Sequence, residues 1–427
     1  VCSSDLNAFS KEEVVAFDQL LAGFEDALVL SNAVKVYRTD QTTMERTNDV
    51  IWRPQPYILP SYDGMDQTAN FNNKTQLSVP STIGFKKSVP WTMNALELRD
   101  ALQEGRLFDS SKQRLATDIN LAVNNIASYY GSLFVKRTAA ATGFDDVAQC
   151  DAIMNEQGVP MDMRFAAYST RDYNSMASDL QKASRSFGNQ KSDTAYEKAL
   201  IGRVSNFEVL KMDYTPRITA AAGSGVTING NQYYVPAATS TASTGEVQNV
   251  DNRFMNLAIT VTSGTVKVGD AFTIQNVNAV HHITKQDTGQ PKTFRVTAIV
   301  SGAGGTGTIQ ITPPIISATG GSQAEIQYQN VTTQAATGAT VTWLNTVAGY
   351  MNPFWRQEAI EILPGRYAIP TDAGVQVMRG TTSQGFDIVF TKFYDINTMI
   401  TKYRVDTLFG VVATNTEMMG IEMFSQT

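Results

Sequence analysis

The chain has 427 residues, 17% of them charged and 42% hydrophobic, with a net charge of −6 and two cysteines. That length holds two or three cores without covalent staples, and two cysteines exclude a disulfide framework and a zinc ribbon alike. The acidic balance excludes a protein whose main task is to grip nucleic-acid phosphates, which needs a dense basic face.

Residues 1–37 place Val14, Phe17, Leu20, Leu21, Phe24 and Leu28 near helical spacing, with Ser10 as a cap and Glu13 three residues on, and predict an N-terminal helix or arm. From Asp40 to about Pro90 the chain turns extended and polar, and Pro54, Pro56, Pro60, Pro80 and Pro90 exclude a long helix. A structureless loop of that length is unusual inside a compact domain, so the segment is expected to form a hairpin reaching outward onto another chain. Next, Asp109 or Ser110 caps a run in which Leu115, Ile119, Ala122, Val123, Ile126, Tyr130, Leu133 and Phe134 recur every three to four residues. The spacing predicts a helix of about 25 residues, or roughly 38 Å, and Gly131 near its end points to close packing there.

An α/β region follows to Thr215, with helices expected around 145–156 and 170–183, a strand at 163–168, and a mating segment at 348–379. Between them, residues 216–345 change character. They hold 14 of the 30 glycines yet only six Lys/Arg and five Asp/Glu in an alternating, Thr/Val-rich pattern, which is what a compact β domain spliced into an α+β host looks like. The tail, 386–393 and 408–424, reads as strands returning to the host core. No run of apolar residues reaches the roughly 18–20 that span a bilayer, and the first residues lack a secretory pattern; with Cys2 and Cys150 the only cysteines, a reducing compartment is expected.

Chemistry is scarce along this chain. His281 and His282 are the only histidines, and adjacent strand residues point to opposite faces, so the plainer reading is a pair of strand-end histidines rather than a metal site or a nucleophile's base. Gly302, Gly304, Gly305 and Gly307 lack a following Gly-Lys-Ser/Thr and run into the strand-like 308–312, which makes them a hairpin turn, not a phosphate loop. The pairs Asp145/Asp146 and Glu358/Glu361 read as solvated helix faces, and Trp52, Trp91, Trp343 and Trp355 as core anchors rather than a sugar platform. No catalytic, cofactor-binding or metal-ligating residue is expected, and no cofactor.

Specific strings carry more. Asn48 through Ile51-Trp52-Arg53-Pro54, Leu98-Arg99-Asp100 ahead of the long helix and Gly131-Ser132-Leu133 at its end come first in chain order. Val250-Asp251-Asn252-Arg253-Phe254 with Gly269-Asp270 then falls in the β tract, and Phe354-Trp355 with Ala359-Ile360 after it. In this order, over nearly the whole chain, they resemble the coat protein of short-tailed Salmonella phages of the P-22 type.

The resemblance implies an α+β, Hong Kong 97-type capsid fold with an inserted all-β barrel. Its parts would be an N-terminal arm (1–38), an extended loop (39–90), a peripheral domain with the spine helix (91–138), an axial domain (139–215 and 346–383), the inserted barrel (216–345) and C-terminal peripheral strands (384–427). Within them the spine helix would run over 109–136, and Asp406, Gly410 and Glu417 would close the peripheral domain. The implied function is a major capsid protein, not an enzyme, assembling as pentamers and hexamers into the virion shell. It would assemble in the bacterial cytoplasm with a scaffolding protein and a portal, touch the packaged double-stranded DNA only weakly and non-specifically, and have no membrane partner. That family carries a charged loop pairing across capsomers just ahead of the Val-Asp-Asn-Arg-Phe string. Here 239–248 is Ser/Thr-rich with Glu246 as its only charge, so polar hydrogen bonds or another surface are expected to replace salt bridges.

Three other functions compete: an adhesin or carbohydrate-binding module built on the β domain, an encapsulin-like compartment shell, and a self-crosslinking capsid using Lys74 with Asn72 or Asn73. The first needs an exposed aromatic platform, whereas Tyr233, Tyr234, Phe254, Phe272, Phe294, Tyr328 and Trp343 mostly sit in strand patterns.

Overall fold

The structure is a computed structural model, describing residues 9, 11–37, 50–56, 58–59, 61, 63–94, 101–184, 201–369 and 375–427. Ser10, Asn48 and the Leu98-Arg99-Asp100 string lie outside these. The chain divides into two units, one of Val1–Ile51, Ser81–Val123 and Ile360–Val412, the other of Trp52–Pro80, Asn124–Ala359 and Ala413–Thr427. Helices and mixed sheets occur in both, an α+β architecture.

In the first unit the strands run in the order Lys35–Val36, Ile360–Pro364, Ile400–Ala413, Asp387–Asp395, Gln376–Thr381, with Phe85–Asn94 also paired to Ile400–Ala413. Alternation puts Phe390 and Tyr403 on one face, where Phe390 meets Phe9, Phe17 and Phe108 at 5.8, 6.4 and 4.9 Å between ring centroids. Phe17, Leu20 and Phe24 are the buried stripe of the helix Lys11–Ala27, as its spacing predicts. Glu13 lies on that stripe too and is neutralised by Lys392 at 2.5 Å. Phe85–Asn94 joins this sheet along Ile400–Ala413. Pro90 is tolerated there because, among the described residues, its strand has a single neighbour.

The long helix spans Ala101–Tyr130, 30 residues and about 45 Å. It begins eight residues before the expected cap: Asp109 lies inside it, paired with Lys112 at 2.9 Å on the next turn. It also stops before Leu133 and Phe134, which sit in the strand Leu133–Lys136. Gly131, next after the helix, is closely packed as expected: a Cβ there would stand 2.8 Å from the Ala127 carbonyl and 2.9 Å from Gly420 Cα, so only glycine permits that approach. The division between units falls within this helix.

The second unit holds a sheet ordered Leu133–Lys136, Met419–Met423, Asn352–Arg356, Arg164–Ser169, Phe207–Met212, Arg203–Val204. Helices Phe144–Glu156 and Thr170–Ser184 pack with it over a core that includes Cys150, Met154, Tyr168, Met176, Phe207 and Phe354. Ile360–Val412 goes with the first unit, and Met419–Met423 joins the second because it is hydrogen-bonded on both edges, to Leu133–Lys136 and Asn352–Arg356.

Strands between residues 227 and 343 build a second sheet in that unit, ordered Thr227–Ile228, Met255–Val261, Gly305–Thr312, Asp287–Ser301, Ala271–Val280, Val341–Trp343. Its outer strands meet: Val341 N donates to Val226 O at 2.9 Å and Ile228 N to Ala339 O at 3.0 Å, which closes it into a barrel. Alternation along Met255–Val261 turns Met255, Leu257, Ile259 and Val261 inward, against Phe272, Phe294 and Ile311. One element departs from an all-β reading, the short helix Gln323–Tyr328, capped by Ser322 and Glu325 in reciprocal hydrogen bonds.

Candidate functional site

The residues singled out for chemistry take structural places. His281 and His282 follow directly on the strand Ala271–Val280, and His281 Nδ1 accepts from the backbone of Ile283 and Thr284. Among the described residues no group of three His, Cys, Asp or Glu side chains is placed to hold a metal ion. The glycine cluster is the turn between Asp287–Ser301 and Gly305–Thr312, where a Cβ on Gly307 would stand 2.0 Å from the Gly302 carbonyl. Trp355 is fully buried, and Trp343 packs edge-on against Phe272 while donating to Gly223 O at 2.7 Å.

Two expectations of solvated carboxylates need correction. Asp146 is fully buried: it accepts from the backbone of Thr142 and Gly143 at 2.6 and 3.0 Å, pairs with Arg137 at 2.7 Å, and so caps the helix Phe144–Glu156, while Asp145 is exposed. Glu361 is likewise buried, in the strand Ile360–Pro364, and only Glu358 faces solvent.

What the barrel does present is a charged seam with the rest of its unit. Lys292, 1% exposed, donates to Glu417 Oε1 at 2.7 Å and to Gln157 Oε1 at 2.8 Å. Asn330 Nδ2 donates to the same carboxylate oxygen at 3.0 Å, and His282 Nε2 lies 3.3 Å from Glu417 Oε2. Burial opposes the Glu417 carboxylate, but the charges of His282 and Lys292 and the hydrogen bonds outweigh it and hold its pKa down to about 2. Burial pushes His282 down to about 4 although Glu417 pulls the other way, so His282 is neutral at pH 7. Arg295, fully buried, extends the seam by donating to Ser128 O at 2.9 Å, and Thr293 Oγ1 donates to Ser132 O at 2.8 Å. Sequence reasoning gave Glu417 only as a residue closing the peripheral domain and assigned Lys292 no role; the two lie 125 residues apart, so no local signal pairs them.

A second buried carboxyl was also missed. Glu422 sits on the interior strand Met419–Met423, accepting from Tyr168 Oη at 2.8 Å and Cys150 Sγ at 3.6 Å. Burial first, and the Asp146 charge, push its pKa up to about 8, the hydrogen bonds and Arg137 opposing. At pH 7 it holds its proton.

Two surfaces face outward in this unit. Residues 52–80 rest on the barrel through Leu77 and Ile58, which pack on Ile316, Tyr328 and Tyr234. Gln55 Nε2 donates to Thr414 O and Gln76 Nε2 to Gln55 O, tying down the base. Beyond it, Leu59, Met65 and Phe71 are 60, 105 and 87% exposed. The second surface is the hairpin Thr239–Thr241 with Val247–Asn249, exposed at all six strand residues. The Val250–Phe254 string anchors it. Asn252 accepts from Ala237 N and donates to Ala237 O, while Arg253 pairs with Asp251 at 2.6 Å and donates to Ala413 O at 2.7 Å.

A family model described as P22 coat protein, gene protein 5, matches residues 6–425. The chain belongs to the P22 coat protein family. As a member it is a major capsid protein that self-assembles into the icosahedral head shell of a bacteriophage, and it resides in the virion shell. Among solved structures, the CUS-3 coat protein I-domain is 40% identical, covering 30% of this chain and 98% of that one, with a TM-score of 0.22. A structure of Mycobacterium phage Che8 is 9% identical over 93% of this chain and 90% of its own, with a TM-score of 0.45. The capsid of cyanophage P-SCSP1u is 9% identical over 92% and 86%, with a TM-score of 0.41.

Proposed function

We propose that this coat protein forms pentamers and hexamers through ring-closing contacts between unlike surfaces, and that the excursion at 52–80 is the piece that reaches a neighbouring copy. The observation that carries this reading is a base fixed on the barrel with large apolar side chains, Met65 and Phe71, left almost wholly in solvent beyond it. Many such contacts, each modest, let misplaced subunits leave while the closed shell persists. Met65→Asp with Phe71→Asp is expected to leave the monomer folded and to abolish closed particles by electron microscopy. Normal particles from that variant would end the assignment.

The reading extends to the finer expectations. Residues 1–38 would be the arm, 39–90 the extended loop, 91–138 the spine region, 139–215 with 346–383 the axial domain, 216–345 the insert and 384–427 the peripheral strands. Assembly would occur in the host cytoplasm with a scaffolding protein and portal, and the protein would have no enzymatic role. The net charge of −6 supports weak, non-specific contact with packaged DNA, because a strongly basic lining would arrest its movement. The barrel's closed hydrogen bonding and its own core support folding as a domain, so residues 216–345 expressed alone should unfold cooperatively in urea. A disordered fragment would refute that. For the exposed hairpin, Glu246→Ala is expected to leave particle yield and thermal stability unchanged, and a loss of either would restore an electrostatic role to it.

A further inference from the structure

The excursion is gripped at one residue in an unusual way. Gln327, 1% exposed in the short helix Gln323–Tyr328, accepts from Thr75 N through Oε1 and donates through Nε2 to Thr75 O, both at 3.2 Å. Tyr328 Oη donates to the same Thr75 carbonyl at 2.8 Å. A carboxamide carries one donor group and one acceptor side by side, so it reads a single peptide's N–H and C=O much as a neighbouring strand would. It does so at one position only. Two residues on, Leu77 is buried among Ile316 and Tyr328, so the grip and the apolar contact together specify register.

We propose that Gln327, with Tyr328, is a positioning clamp that sets the register of the excursion and thereby where its apolar residues meet a second copy of this chain. The inference rests on the reading of that excursion as an intersubunit contact. Its physical content is leverage. In extended chain a one-residue slip moves every residue beyond the clamp by about 3.3 Å and turns side chains to the opposite face. Phe71 lies four residues from Thr75, so a slip there displaces it by more than a close-packed contact tolerates. The helix bearing Gln327 belongs to the barrel segment, so the clamp couples barrel and excursion in assembly.

The test uses the full-length chain. Gln327→Met keeps the side chain's length and apolar volume and removes both hydrogen bonds, and Tyr328→Phe removes one hydroxyl. Hydrogen exchange at the Thr75 amide is expected to speed up roughly tenfold or more in Gln327→Met, with the urea midpoint of the monomer nearly unchanged. Co-expressed with the neighbouring phage genes, Gln327→Met should give several-fold fewer closed particles and an excess of misshapen ones by electron microscopy. Tyr328→Phe should shift both readouts in the same direction by less, and it keeps the test decisive if Gln327→Met does not fold. Faster exchange with wild-type particles in both variants would overturn the clamp's role in assembly, and unchanged exchange would overturn the clamp itself. The Met65→Asp, Phe71→Asp protein separates the two ideas: if it assembles normally, the docking reading fails, whereas its failure to assemble beside normal Gln327→Met particles rejects the clamp alone.

Discussion

Glu417→Ala is expected to destabilise the monomer by roughly 3–5 kcal/mol, because it leaves the buried Lys292 ammonium without its carboxylate. Asn330 loses an acceptor in the same step. Lys292→Met combined with Glu417→Leu should cost less than the two single changes added together, since no buried charge is then stranded. Urea unfolding of the monomer measures all four. A cost below about 1 kcal/mol for Glu417→Ala would mean that the seam is wet and screened. The seam also fixes the acid side of the stability profile. His282 has a folded pKa near 4 against an ordinary 6.5, and Glu417 near 2 against 4.5. Both depressed groups contribute fully above their ordinary values. The His282 contribution is lost as pH falls from 6.5 through 4, and that of Glu417 from 4.5 through 2. Glu417→Ala should flatten the lower of these windows.

The second large effect runs in the opposite direction on the pH axis. Glu422, raised from 4.5 to about 8, favours the folded state fully while protonated, below about pH 4.5, and that contribution is lost as pH rises through 8. Glu422→Gln keeps an acceptor for Tyr168 and cannot ionise. The difference in unfolding free energy between wild type and Glu422→Gln should therefore change by about 1.4 kcal/mol per pH unit across much of that window, on the order of 4 kcal/mol between pH 5 and 8. Comparing the two proteins cancels His282, which slopes the other way below pH 6.5. Parallel profiles would show that Glu422 is ionised and solvated.

How far the sequence disclosed these features depends on how local each one is. The helix Lys11–Ala27 and the alternating character of the β tract, seen in Met255–Val261, were legible because one face of each is buried and the period shows in a few residues. The start of the long helix was misread because Asp109 and Ser110 have cap chemistry yet lie mid-helix, where tertiary packing overrides local preference. Its end was misread because Leu133 and Phe134 continue the apolar period, although Gly131 carried the warning. Asp146 looks like a solvated carboxylate until Arg137 and the Thr142 backbone fold around it. Ser322-x-x-Glu325 is a capping-box signature that marks the helix bearing Gln327, so that element was within reach of the sequence; its contact with Thr75, 252 residues away, was not. The seam of Lys292, Asn330 and Glu417 is of the same kind, since it joins residues that only the fold brings together.

The central claim is that this chain builds a closed shell, and electron microscopy of the full-length protein at high concentration, alone and co-expressed with its neighbouring genes, tests it most directly. The account predicts closed icosahedral particles tens of nanometres across in at least the co-expressed preparation. Monomers or small oligomers alone in both would contradict it.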